Sequence, residues 1–265
     1  MKELSRYLAL ASAALQQRLA YRNAFLLSIV SNLLVFSSLV YVWQAVYAGK
    51  SSLQGFTWPE LQTYLLLTFF TNVVIGWHSE MAIVARVLDG SVATDLLRPF
   101  DFQLARMVET LGVALFEAAV MLPVLLAVAL ALGDIRAPAD TTTFLLALGS
   151  FVLGAVIKFA ILYITCILAF WTQNGWGIVN ARMAIARLFS GALVPLPFMP
   201  DGLRAIAEVL PFQATVYLPS MIYLGRAGDH VFRELAAQAL WAVALLGIGR
   251  LSFGFAMKKV TIHGG

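Results

Sequence analysis

The sequence predicts an all-α polytopic membrane protein of six transmembrane helices, and three observations carry that expectation. Apolar residues make up 61% of the 265 residues and charged ones only 12%, where a soluble domain carries about 25% charge. Six stretches approach the roughly 20 apolar residues that a crossing needs. The lysines and arginines between those stretches fall mainly on one side. With so little polar surface, lipid must solvate much of the exterior. The net charge of +4 is therefore a matter of topology and gives no nucleic-acid footprint.

The six stretches are Ala24–Tyr47, Pro59–Gly76, Val108–Leu132, Phe144–Phe170, Ile178–Phe198 and Leu235–Met257. The fifth is the weakest, because Arg182 and Arg187 occupy its first turns and Pro195, Pro197 and Pro200 end it. With both termini in the cytoplasm, 12 of the 18 basic residues lie inside. Five lie outside (Lys50, Arg136, Arg204, Arg226 and Arg233), and Lys158 falls within a span. This is the positive-inside pattern. Residues 1–13 imitate a signal peptide, but cleavage there would invert every later loop and reverse the bias. Residues 1–22 are better read as an amphipathic interfacial helix, with Leu4, Tyr7, Leu8, Ala11, Leu15 and Leu19 on one stripe. The spans then occupy residues 23–265.

Thr57-Trp58-Pro59-Glu60 reads as a capping box starting the second span, with Pro59 tolerated in the first turn. Trp43, Tyr47 and Trp58 suit an outer aromatic belt, and Trp171 and Trp176 an inner one. The one cysteine, Cys166, lies in an apolar run, so there is no disulfide framework within the chain and no thiolate metal cluster. Gly49-Lys50-Ser51 is not a phosphate loop, since Gln44 stands where the leading glycine belongs. There is neither a His-Glu-x-x-His pair nor a Gly-x-Ser-x-Gly elbow. The chain is expected to be no enzyme, with no metal or cofactor of its own.

The connection 79–107 between spans two and three is long for a helical hairpin. Met81, Val84, Val87 and Leu88 make an apolar face beside Glu80, Arg86 and Asp89. Gly90 ends that helix, a second short one can start at Ser91 or Thr94, and Pro99 stops it after Arg98. The segment is either a surface hairpin or a docking element for a cytoplasmic motor. The connection between spans five and six holds two apolar pieces, Leu203–Leu210 and Phe212–Leu218, each too short to cross. Asp201 can cap the first. Residues 195–225 thus form an outer re-entrant element, either a passive lid or a gate. Glu117 and Lys158 lie roughly 16–18 Å deep in spans three and four at 1.5 Å per residue. An unpaired charge there costs several kcal/mol or more, so an ion pair between them is expected, structural or proton-coupling.

At these residues the sequence resembles the permeases of type-2 ABC exporters, in particular a bacterial branch with mostly unassigned substrates. The resemblance rests on three features in their order along the chain. They are Val87-Leu88-Asp89-Gly90 through Asp95-Leu96-Leu97-Arg98-Pro99, the run Ser190-Gly191 through Pro195, Pro200 and Leu210-Pro211-Phe212, and the N-terminal helix as an elbow. It implies six spans in the bacterial inner membrane, a second permease, identical or related, and two cytoplasmic ATPase subunits that bind ATP and Mg²⁺. It further implies an ATPase-coupling helix within residues 89–102, with Asp89, Gly90, Asp95, Leu97, Arg98, Pro99 and Phe100 as its residues. Cargo of the family includes drugs, peptide antibiotics, lipid-linked glycans and polysaccharides. A self-sufficient secondary transporter driven through Glu117 and Lys158, or a non-transporting scaffold, are the alternatives. Against the first, the proline-interrupted element has no evident twin in the other half of the chain.

Overall fold

The computed structural model describes residues 2–20, 22–74, 77–97, 100–172 and 174–258. The described chain is almost wholly helical. The helices are α1 (Lys2–Ala20), α2 (Arg22–Tyr47), α3 (Trp58–Val73), α4 (Trp77–Leu88), α5 (Val92–Leu96), α6 (Phe102–Leu132), α7 (Thr141–Thr172), α8 (Gly175–Phe189), α9 (Asp201–Val209), α10 (Tyr217–Tyr223) and α11 (Val231–Met257). A small hairpin, β1 (Ser52–Leu53) and β2 (Phe56–Thr57), joins α2 to α3. Its two turn residues, Gln54 and Gly55, both have positive φ, as a tight hairpin of the favoured twist requires.

Among the described residues, four helices are long and apolar enough to cross a bilayer: Asn23–Tyr47, Phe102–Leu132, Thr141–Thr172 and Gly228–Met257. The second and fifth expected spans are shorter. Helix α3 has 16 residues and α8 has 15, about 24 and 22 Å of rise. The expected end of the second span at Gly76 lies outside the described residues. The fifth was expected to run to Phe198, but α8 stops at Phe189, where Gly191 takes a φ of +81° and turns the chain.

Large apolar side chains stand exposed along the long helices, among them Leu27, Leu34, Leu115, Leu130, Leu240 and Val243. In water this would be an aggregation surface; in a bilayer it is the surface solvated by lipid. Helix α7 is the centre of the bundle. Half of its apolar window is buried, against 22% for each of the other three crossing helices. It packs on α4, α8, α10, α11 and the 3-10 turn Pro211–Thr215. Small residues permit that approach: a Cβ at Gly154 would lie 2.9 Å from the carbonyl oxygen of Ala214, and one at Gly249 3.1 Å from the Tyr163 ring.

Helix α1 packs along α6, and α2 against α3. Gly112 of α6 lets Ala11 of α1 close in, since a Cβ there would sit 3.0 Å from that of Ala11. Trp43 and Tyr47 are not on the perimeter, as an aromatic belt would require. Both are buried, Trp43 edge-on to Phe198 at 4.9 Å and Tyr47 tilted on Trp58 at 5.4 Å. The start of α3 forms as its sequence predicts. Glu60 accepts hydrogen bonds from the Thr57 N–H and hydroxyl, each 2.8 Å.

The segment after α8 departs from expectation in two places. Asp201 does not cap α9 with its side chain; Pro200 holds the cap position and Asp201 forms the first turn, where its charge favours the helix N-terminus. The piece Phe212–Leu218 is not one helix. It divides at Val216 into the turn Pro211–Thr215 and α10. Pro219 falls in the first turn of α10, where its missing N–H is harmless, and so favours a fresh start at Tyr217.

Candidate functional site

Three regions gather the polar residues of this apolar chain. The first is the connection α4–α5. Gly90 has a φ of +76° and reverses the chain after α4. The Asp89 carboxylate accepts from the Ser91 N–H at 2.8 Å, and these Ser91 hydrogen bonds hold its pKa below the usual carboxylate range. Asp95 is buried. Its Oδ2 lies 2.8 Å from Arg86 Nη1 of α4 and 3.9 Å from Arg106 Nη2 of α6. Arg106 in turn reaches Glu109 at 2.9 Å and faces the Phe102 ring. The latch fastens α5 to both neighbours, and above it Leu97 is 86% exposed, with Leu88 and Leu96 half exposed.

The exit from this segment is tied as well. Arg98 and Pro99 lie outside the described residues. The Phe100 ring is 6.3 Å from Tyr7 of α1. Asp101 caps α6 through the Leu104 N–H and pairs with Arg250 of α11 at 2.8 Å. A force applied at Leu97 would reach α6 through Asp95–Arg106 and α11 through Asp101–Arg250. Arg86, Asp101, Arg106 and Arg250 were not among the expected site residues. Their signal was their rarity, charges in a chain that carries few.

The second region lies within the bundle. The expected ion pair between Glu117 and Lys158 is not formed. Glu117 is bound by Arg18 of α1, with its Oε1 2.9 Å from Nε and 2.7 Å from Nη2. Lys158 Nζ donates to the carbonyl oxygens of Thr71 and Val74 at 2.7 and 2.6 Å. Carbonyls at a helix C-terminus lack intrahelical partners and carry partial negative charge, so the end of α3 receives the lysine. Depth alone placed the two charges level; the packing of α1 on α6 and of α3 beside α7 decides their partners. A third pair, Glu80 of α4 with Arg182 of α8, is bidentate at 2.7 and 2.6 Å. Gly175 opens the way for it, since a Cβ there would collide with Val84.

Around these groups lies a cavity of about 440 Å³. Arg18, Glu80, Lys158, Arg182 and Arg187 line it together with Asn32 and Asn72, while Val35, Leu39, Ile161, Leu193 and Phe212 form apolar walls. It lies between α2, which packs on α3, and α8, which packs on α7 and α4.

The third region is the irregular segment 190–216. The Tyr64 hydroxyl donates to the Gly191 carbonyl at 2.7 Å, and the Tyr217 N–H to the Ser190 carbonyl at 3.2 Å. Pro195 precedes the 3-10 turn Leu196–Phe198, Pro200 precedes α9, Leu210 ends it, Pro211 is buried and Phe212 reaches the cavity. Gln238 of α11 donates to the carbonyls of Ala214 and Ser150 at 2.8 Å each and accepts from the Ser150 hydroxyl. At 1.5 Å per residue, Gly154, where Ala214 docks, is about 20 Å along α7 from Thr141. Arg226 braces the far end, stacked 4.1 Å over Phe56 and bonded to the Gly55 carbonyl. Glu60 faces Arg136 and Arg226, each at 3.4 Å.

Gly191 is the strained point of that segment. Beyond its positive φ, a Cβ would meet the Tyr64 hydroxyl at 2.6 Å and Leu196 Cδ1 at 3.0 Å. Gly191→Ala is expected to cost about 1–3 kcal/mol through overpacking and an unfavourable φ, whereas Tyr64→Phe removes one hydrogen bond, about 1 kcal/mol. Thermal inactivation in detergent should rank alanine below phenylalanine. The reverse order would mean that the hydroxyl, not the backbone turn, holds the segment.

A family model described as ABC-2 family transporter protein matches residues 29–264. The chain belongs to the ABC-2 transporter family. No curated protein matches it. As an ABC-2 permease it is the multi-pass membrane subunit of its transporter, and the family implies a bilayer and an ABC ATPase as partners. Helix α1 and the first turns of α2 precede the matched residues, so Arg18, which pairs with Glu117, lies outside the match.

Proposed function

We propose that this chain is the membrane-spanning half of an ATP-driven exporter in the bacterial inner membrane. The observation that carries the reading is the α4–α5 connection. An exposed Leu97 stands over a buried Asp95 held by arginines from two helices, a shape suited to receive a push and pass it inward. Six passes follow if α3 and α8, short as they are, cross with α2, α6, α7 and α11. Residues 1–22 are then the cytoplasmic elbow and 195–225 a re-entrant element at the outer face, gated by Ser190, Gly191 and the prolines that follow. The Lys and Arg bias puts both termini and α5 in the cytoplasm. ATP and Mg²⁺ bind the partner ATPase, two copies per complex, joined by a second permease that is identical or related. The cargo is amphipathic, a lipid-like, glycan or peptide molecule carried from the cytoplasm or inner leaflet.

Affinity purification of the tagged protein in mild detergent, with mass spectrometry of its companions, tests this. An ABC ATPase should come with it, and Leu97→Ala should reduce its yield without lowering the permease level. A protein that arrives alone, as a homo-oligomer, would sink the exporter reading and favour a secondary transporter.

A further inference from the structure

Helix α3 stops at Val73, well inside the bundle. Val74 at its C-cap is extended, with ψ at 131°, where a continuing helix needs about −42°. The next helix, α4, starts at Trp77. The two pieces follow one another along α7. Lys158 of α7 reaches Thr71 and Val74. About two turns further on, the Cys166 thiol donates to the Glu80 carbonyl at 3.5 Å. Val84 and Leu88 stand against Gly175, just past the end of α7. Helix α4 therefore completes the crossing that α3 begins. By chain position the cut lies about 25 Å along α7 from Thr141, near the middle of that helix.

Both cut ends carry compensating charge. A helix that ends away from water leaves carbonyls at one end, or N–H groups at the other, without partners. At the end of α3 the Lys158 ammonium takes the Thr71 and Val74 carbonyls at 2.7 and 2.6 Å. The Thr71 hydroxyl bonds back to the Leu67 and Thr68 carbonyls at 3.1 and 3.0 Å. At the start of α4, Glu80 lies in the first turn, where negative charge suits the positive end of a helix, and Arg182 of α8 holds both its oxygens. A cation on a C-terminus followed by an anion at an N-terminus stabilises two separate helices; one continuous helix would gain nothing from either. The pieces also differ in their neighbours, since α3 packs on α2, α6 and α10, and α4 on α7 and α8.

We propose that Val74 is a built hinge in the second crossing, with Lys158 as the positioning residue that holds it open, and that α4 moves about it together with α5 while α3 stays with α2 and α6. An ammonium suits the role, because three donors on a flexible stem keep their grip on two carbonyls as the angle between the pieces changes. The Arg86–Asp95 pair already fastens α5 to α4. That an ATPase drives the movement rests on the exporter reading; the hinge itself does not.

The test uses the full chain in phosphatidylcholine nanodiscs, spin-labelled in pairs and diluted with unlabelled protein, with distances read by pulsed electron paramagnetic resonance. One pair, Ala85→Cys with Leu115→Cys, sets α4 against α6. The other, Ser52→Cys with Leu130→Cys, sets the hairpin before α3 against the same helix. All four positions are exposed, and the native Cys166 is buried and takes no label. In Lys158→Met the freed carbonyls draw the N–H groups that follow into helix, so the first distance should shift by about 5 Å, one helical turn, and the second should hold. Lys158→Arg keeps the charge and the donors and should match the parent. Should the methionine variant not accumulate, Lys158→Gln, with N–H donors but no charge, takes its place, and a smaller shift in the same pair is expected. The proposal is overturned if the uncharged variant leaves the first distance at the parent's value, if both pairs shift alike, or if arginine shifts it as methionine does. With an ABC ATPase bound and trapped by ATP and vanadate, the parent should change the first distance and not the second; if both change or neither does, the hinge falls and the exporter reading stands. If no ATPase is found, the exporter reading falls, and the variants of the permease alone still decide the hinge.

Discussion

Changing Asp95 to asparagine is expected to strip the ABC ATPase from the purified permease while the membrane domain remains assembled. The carboxylate is buried at the centre of three helices, 2.8 Å from Arg86 and 3.9 Å from Arg106. The Arg106 side chain is only 2% exposed, so it cannot turn to water when its partner is neutralised. Breaking a buried pair by removing one member costs about 3–5 kcal/mol; Glu109, which still holds the other guanidinium nitrogen, places this case toward the lower end. That is more than a five-residue helix can supply from its own hydrogen bonds. The penalty should therefore appear as detachment of α5 from α4 and α6, carrying Leu97 out of register. Three readouts separate this from general unfolding: ATPase yield on affinity purification, protease cutting within 86–102, and the melting of the remainder. Asp95→Asn should lose the first, gain the second and leave the third within a few degrees. An Asp95→Asn protein that retains the ATPase and resists protease like the parent would remove Asp95 from the coupling path. Asp101→Asn is the graded comparison. Its partner Arg250 is 75% exposed, and a surface pair is worth about 0–1 kcal/mol, so its effect should be small.

The long helices could be read from the chain because length and apolarity are local properties, and α2, α6, α7 and α11 lie where the apolar runs lie. Short elements depended on particular residues. Gly90 and the Thr57–Glu60 box announced their turns correctly, since a positive φ and a helix start each have a residue preference. The proline-rich run after Phe189 announced interruption but not its geometry. Val216 divides the second apolar piece because Tyr217 turns its N–H to Ser190, a contact no local pattern encodes. Buried partners were the least legible. The depth of Glu117 and Lys158 followed from counting residues, yet Arg18 and the carbonyls of Thr71 and Val74 are brought to them by packing between distant segments. The cavity is hidden for the same reason, as its lining comes from α1, α2, α3, α4, α7, α8 and the segment 190–216. The Trp43 and Tyr47 reading erred by treating residue type as location, when Phe198 and Trp58 were available to cover them.

The pairing of Arg18 with Glu117 leads to the second large effect. Both side chains are almost fully withdrawn, at 8% and 3% exposure, and meet at 2.7 Å; Arg18 also lies 4.7 Å over the Phe25 ring. Removing either member alone leaves a buried charge with less compensation, so Arg18→Met and Glu117→Met should each lower resistance to heating in detergent, by about 3–5 kcal/mol for the more damaging. Replacing both together with methionine should recover most of that loss, because apolar residues of similar volume often serve a buried site as well as an ion pair does. The double-mutant cycle then gives a coupling of a sign and size that two independent surface changes would not produce. If the losses simply add, the two residues stabilise different parts of the fold and the pair is incidental. The cycle also decides what Glu117 is for. A stable double variant that still exports would mean that the carboxylate serves to hold α1 against α6, anchoring an element outside the family-matched residues. A stable double variant that assembles with the ATPase and yet exports nothing would mean that the charge itself acts in transport. Stability alone cannot separate those two roles, whereas transport measured in a variant already shown to be stable can.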